Sequence, residues 1–292
     1  MNIQKNPFQR FSGILLVGLS AAAFGTLAIF GRIAYSAGID TFTLLFLRFG
    51  LSAILMIGML WFRGESLPKG RPLALLVGMG AIGYVGQSYC YLTAIKYASA
   101  GLVALLLYLY PTFVAILSFV FLKRRLGALK LVALLLATLG AILTANPQGG
   151  QWTGILLAIG AAMIYSIYII VGAGVMQQVS AVQSSTVIFA SAGFVYGGLM
   201  ALNGPHWPTS STGWLAVGAI ALIATVIPVV AFLAGLKRIG PTDASMLSTL
   251  EPVVTIFLAA ILYREILQIS ALFGGGLILL AVLLLTYAEL RK

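Results

Sequence analysis

Glu251 stands in the middle of an apolar run and directly before Pro252, a placement that few residues tolerate without a purpose. Charge in hydrocarbon is expensive, so an acid at membrane depth is a functional candidate by default. Pro252 removes a backbone donor and leaves a carbonyl one turn earlier without its usual partner. Two readings stay open: Glu251 meets a substrate or an ion, or it pairs internally while the proline only bends its helix. Arg48 lies about a third of the way into another apolar run. It could pair with Glu251, hold a carboxylate, or reach the outer interface along its long stem; an internal pair or the interfacial reach is the simpler expectation.

Helical spacing adds a polar and aromatic lining to these two charges. Tyr84, Gln87, Ser88 and Tyr91 form one stripe, and Ser245, Ser248, Glu251 and Thr255 form another. Phe24, Tyr165 and Tyr168 fall at mid-depth of their runs, and Tyr108 shares a face with Thr112. Other chemistry lacks material. His206 is the only histidine, in a short loop, and Cys90 is the only cysteine, so neither a metal site nor a disulfide framework is expected, and no cofactor. Gly78, Gly80 and Gly83 match G-x-G-x-x-G, but no acid follows between Glu65 and Asp243, which excludes a dinucleotide fingerprint.

The elements that must position these groups repeat. Gly13, Gly31, Lys96 and Pro111 recur as Gly154, Gly172, Lys237 and Pro252, at a constant offset of 141 residues. On that offset Phe24 corresponds to Tyr165, and Tyr110-Pro111 to Glu251-Pro252, so both units carry a proline interruption at the same place. Paired interruptions are the best sequence pointer to a transporter's binding site. Each unit holds five apolar stretches long enough to cross a bilayer of ~30 Å, at 12–34, 41–62, 72–95, 99–122, 127–145, 152–175, 182–202, 212–236, 242–263 and 269–289. Because five is odd, the second unit enters from the opposite face. The expectation is an all-α membrane protein of ten transmembrane helices arranged as two inverted five-helix repeats, 1–145 and 146–292.

Composition agrees: 61% of the 292 residues are hydrophobic, 8% are charged and mean hydropathy is +1.08. The net charge of +11 does not imply nucleic acid, because 13 of the 17 basic residues fall on one side of a ten-span topology. That side is then the cytoplasm, with both termini facing it. Gly193 and Gly197, and Gly274 to Gly276, suit tight helix packing, within the chain or across a weak homodimer.

With Pro111, the Glu251-Pro252 pair and Glu265 closing the run that follows, the whole chain resembles the EamA-type branch of the drug/metabolite transporter superfamily. Within that branch it is similar to the YddG-type exporters, although Phe24-Gly25 stands where a tryptophan is commoner. The resemblance implies a secondary transporter in a bacterial inner membrane that exports neutral or aromatic amino acids by alternating access. Its partners would be the amino acids and the lipid bilayer, with the chain working as a monomer or weak homodimer. Tyr84, Tyr91, Tyr165 and Tyr168 would wall the substrate side chain. Gln87, Ser245 and Ser248 would bind its backbone groups, and Pro111 and Pro252 would supply exposed carbonyls and gate bends. A multidrug or organic-cation exporter, using Glu251 as counter-charge, is the alternative. An intramembrane enzyme lacks a catalytic constellation, and saturation would separate a carrier from a channel.

Overall fold

Helices follow the apolar runs closely. A computed structural model of the chain describes residues 7–94, 96–98, 100–123, 127–145, 151–264 and 268–290. Lys5, Arg124, Arg125, residues 146–150, Glu265, Arg291 and Lys292 lie outside the described residues. The described chain is helical, with no strand, and it forms ten apolar segments. Segment 1 is α1 (Pro7–Gly25) and α2 (Leu27–Ser36), segment 2 is α3 (Thr41–Phe62), and segment 3 is α4 (Arg71–Gly78), a π-helical stretch π1 (Met79–Tyr84) and α5 (Val85–Ala94). Segment 4 is α6 (Ala100–Leu107) and α7 (Tyr110–Leu122), segment 5 is α8 (Ala128–Ala145), segment 6 is α9 (Trp152–Val175) and segment 7 is α10 (Ala181–Asn203). Segment 8 is α11 (Ser211–Ala221), π2 (Leu222–Val226) and α12 (Ile227–Ile239), segment 9 is α13 (Pro241–Leu247) and α14 (Leu250–Tyr263), and segment 10 is α15 (Ile269–Leu290). Among the described residues, nine segments are long and apolar enough to cross a membrane; segment 5 is shorter, its apolar helix reaching from Ala128 to Leu143.

The two halves repeat in backbone detail. Segments 4 and 9 both break ahead of their prolines, between Leu107 and Tyr110 and between Leu247 and Leu250. The π-helical stretches occupy matched positions in segments 3 and 8. Segments 4 and 9 end on left-handed residues that are also mates, Lys123 (φ 52°) and Arg264 (φ 55°).

Contacts between segments recur with partners exchanged. A Cβ on Gly13 would lie 2.7 Å from Ile239, and one on Gly154 would lie 2.9 Å from Ala98, the mate of Ile239. Segment 1 therefore meets segment 8 as segment 6 meets segment 3. Likewise a Cβ on Gly25 would come within 3.1 Å of the Glu251 carbonyl, while Ser166, the mate of Gly25, donates its hydroxyl to the Tyr110 carbonyl at 3.1 Å. The glycines expected at packing faces are used inside the chain: Gly193 meets Gly50, and Gly197 the Phe46 ring.

One end of the bundle is basic. It gathers Arg63, Lys69, Arg71, Lys123, Lys237 and Arg238 at helix ends and is tied by the Ser180 hydroxyl on Glu65 and by Gln183 on the Ser66 carbonyl (2.7 Å). At the opposite end Thr209 donates to the Ala37 carbonyl and Gln151 to the Tyr97 carbonyl. There the Asp40 carboxylate caps α3 through the amides of Phe42 and Thr43 and also accepts from the His206 amide.

Candidate functional site

A cavity of about 830 Å³ occupies the centre of the bundle. Its lining comes from the halves of five segments that lie away from the basic end: Phe24 to Tyr35, Thr41 to Arg48, Gly83 to Leu92, Ala104 to Tyr110, and Glu251 to Ile256, with Tyr165 and Tyr168 at its floor. The cavity therefore points toward the opposite end. At the basic end Gly13 and Gly235 bring segments 1 and 8 into contact, and a Lys130–Asp243 ion pair joins segments 5 and 9. Lys130 is 8% exposed and Asp243 5%, with both carboxylate oxygens within 2.6 Å of the ammonium. Lys130, which lies inside the expected span 127–145, is thus a buried partner of a residue in the other half.

The segment breaks place the site. Pro252 denies the Ser248 carbonyl its α-helical donor, and the Glu251 amide takes it up from one residue nearer, at 3.1 Å. The carbonyl expected to stand free is therefore occupied, and the tightened turn starts α14 with Glu251 on the cavity wall. Thr26 breaks segment 1 in a different way, by turning its hydroxyl back to the Ala23 carbonyl at 2.7 Å. Gly25 then lets segment 9 approach, and Thr255 ties the crossing by donating to the Gly25 carbonyl at 3.0 Å.

Most of the expected lining is brought together. Phe24, Tyr84, Gln87, Tyr91, Tyr108, Tyr165, Tyr168, Glu251 and Arg48 all face the cavity, as does Pro252. Pro111 is buried beside it and shapes the wall through Tyr110. The rings form one connected cluster. Tyr84 meets Tyr168 edge-on at 5.8 Å, Tyr165 stacks on Tyr168 at 5.9 Å, and Tyr110 meets Tyr165 edge-on at 4.8 Å, geometries that suit ring quadrupoles.

Ser245 and Ser248 do not line the cavity. They are buried behind its wall, their hydroxyls donating to the Thr242 and Ala244 carbonyls, with Ser248 also bonded to Tyr110 of the lining. The stripe drawn through 245, 248, 251 and 255 assumed an unbroken helix, and the turn at Ser248–Thr249 removes that phase. Arg48 does not reach the interface either. It is 7% exposed, its Nε donates to Thr225 Oγ1 at 2.7 Å, and its guanidinium lies 5.0 Å over the Phe49 ring. Thr225 is itself fixed on the Ile220 carbonyl at 2.8 Å, five residues back across π2. Nor do Arg48 and Glu251 form an ion pair, although both face one cavity. Glu251 has no hydrogen-bond or ion-pair partner for its carboxylate among the described residues. Tyr110, Arg32 and Tyr35 line the cavity without having been singled out as ligands. The offset that matched Tyr110 to Glu251 was the signal for the first.

Apolar segments around a central aqueous-sized cavity with charges from both halves define a multi-pass membrane transporter. The EamA-like transporter family model matches the chain twice, at residues 11–146 and 152–287, and the chain belongs to that family. It is 27% identical over 276 residues to an uncharacterized transporter of Archaeoglobus fulgidus, covering 93% of this chain and 95% of that one. The uncharacterized inner membrane transporter YedA of Escherichia coli is 28% identical over 254 residues, 83% of this chain and 80% of its own. The uncharacterized transporter YcbK of Bacillus subtilis is 25% identical over 300 residues, 96% and 94%. A crystal structure superposes with a TM-score of 0.83 at 22% identity, over 96% of this chain and 98% of its own, a likeness of fold alone.

Proposed function

We propose that this transporter exports neutral and aromatic amino acids from a bacterial cytoplasm by alternating access. In this reading ten spans form two inverted repeats, 1–145 and 146–292, and the chain works as a monomer or weak homodimer. The basic end is cytoplasmic by the positive-inside rule, so the described conformation faces outward. The supporting observation is the connected tyrosine cluster in a cavity that also carries one acid and few cations. An aromatic side chain finds ring faces there, and its zwitterionic head finds hydroxyls, an amide and opposite charges. The test is efflux of labelled phenylalanine from loaded cells, which overexpression should accelerate with saturation. Unchanged efflux of every neutral amino acid tried would overturn the reading.

The alternative is export of hydrophobic organic cations. It is favoured by the unpartnered Glu251 beside so many rings, which suits cation–π contact. Resistance confined to cationic dyes in overexpressing cells would decide for it.

A further inference from the structure

Of the three charged residues that line the cavity, Arg32, Arg48 and Glu251, the last two differ in how they are held, and the difference indicates what each awaits. Arg48 comes from segment 2 of the first half and Glu251 from segment 9 of the second, so a ligand touching both bridges the repeats. The guanidinium is held by Thr225 at Nε and by a hydrogen bond to the Tyr84 hydroxyl, with the Phe49 ring at 5.0 Å. No carboxylate of a described residue pairs with it. Held by two neutral partners, the planar fork has further N–H donors to offer a planar anion, the geometry in which arginine recognises carboxylates. Thr225 owes its own position to π2, so a backbone irregularity of the second half fixes a charge of the first.

Glu251 presents the complementary case. Its backbone is fixed by the tightened turn before Pro252 and by the close crossing at Gly25, while its carboxylate has neither a hydrogen-bond donor nor an ion-pair contact among the described residues, the Arg48 charge acting on it only across the cavity. A carboxylate left so in a low-dielectric wall gains most from a ligand that brings a cation with hydrogen-bond donors. A protein that needed these charges only for stability would have paired them with each other, as it pairs Lys130 with Asp243.

Resting on the amino acid reading above, we infer that the cavity recognises its substrate as a dipole, with Arg48 taking the α-carboxylate and Glu251 the α-ammonium. The tyrosines Tyr84, Tyr165 and Tyr168 receive the side chain. One ligand then neutralises a charge from each repeat, and amines or acids carrying only one of the two groups leave the other charge buried and unmatched.

Counterflow of labelled phenylalanine in proteoliposomes tests this, with competition by L-phenylalanine, phenylalaninamide, which lacks the carboxylate, and 3-phenylpropionate, which lacks the ammonium. In the wild-type protein each analogue should compete at least about tenfold more weakly than the amino acid. Glu251→Gln should abolish the preference for phenylalanine over 3-phenylpropionate and keep that over phenylalaninamide. Arg48→Gln should do the reverse, and Arg48→Lys should restore part of the loss. Equal competition by all three compounds in a wild-type protein that transports phenylalanine overturns the inference and leaves the exporter standing. Absence of any amino acid transport overturns both. Because the wild-type profile alone decides, a variant that fails to fold does not rescue the idea.

Discussion

The two ends of this bundle are built from the same repeat and closed by different chemistry. At the basic end Lys130 of the first half meets Asp243 of the second. Exchanging the halves maps that pair onto Ala271 and Leu102 at the other end, and neither can carry charge. Both are half-buried where their mates are buried, and the cavity points to their end. Symmetric backbones thus carry asymmetric locks. Separating the Leu102 side chain from its surroundings exposes an apolar side chain, whereas separating Lys130 from Asp243 parts two desolvated ions. The chemistry favours the conformation described here, closed at the basic end.

The largest effect on that comparison should come from Asp243→Asn, which leaves the Lys130 ammonium buried without its acid. Removing one member of a buried pair costs about 3–5 kcal/mol, so thermal unfolding in detergent should begin at a clearly lower temperature. Replacing both members, Lys130→Met with Asp243→Leu, should recover most of that loss while making the ends alike. Cysteines introduced near the basic end should then become more reactive than in the wild type. A single Asp243→Asn variant as stable as wild type would show that the pair does not lock this end.

A second comparison concerns Gly80 and its mate Ala221. A Cβ on Gly80 would land on the Ser191 hydroxyl and the Ile188 carbonyl of segment 7, while Ala221 already carries one at 1% exposure. Gly80→Ala should cost about 1–3 kcal/mol by overpacking. Ala221→Gly should cost about 1 kcal/mol or less through helix entropy. Equal losses, read from the two melting curves, would mean that the close approach of segments 3 and 7 is no more demanding than its repeat.

The smallest effect is expected at the far end, where Asp40 holds the loop around His206. Burial raises the Asp40 carboxyl, but hydrogen bonds from the Thr43 hydroxyl and from the amides of Thr43, His206 and Phe42 outweigh it and hold the group below its usual 3.8. A lowered folded-state pKa gives stability that is present at neutral pH and lost as pH falls through that lowered value. The protection factors of the His206 and Thr209 amides should therefore fall only in acid, and Asp40→Ala should lower them at neutral pH at a cost of about 1 kcal/mol. Exchange that ignores both changes would detach Asp40 from the loop.

What the sequence revealed follows from how local each signal is. Pro111 and Pro252 act within one turn, so the breaks in segments 4 and 9 were legible, and with them the position of Glu251. Thr26 breaks segment 1 by a hydroxyl bond that any threonine can make, and nothing marks it out in an apolar run. The π-helical stretches contain no residue type peculiar to them. Ser245 and Ser248 were misread because helical phase was carried across a break whose angle the sequence does not specify. The pairing of Lys130 was not legible because its partner lies 113 residues away. Arg48 was hidden for the same reason, since Thr225 reaches it from the other half of the chain.

The π-helical stretches also set helical register. A π turn accommodates one residue more than an α turn, so each is an insertion absorbed without rotating the helix that follows. Yet the offset of 141 is unchanged from Gly31 and Gly172 before the stretches to Lys96 and Lys237 after them. Both halves therefore carry the extra residue, and the register between them is kept. A one-residue deletion inside either stretch would return its segment to a regular helix with the flanking faces preserved. The same deletion elsewhere in the segment would turn everything beyond it by about 100°, carrying Gln87 and Tyr91 off the cavity wall.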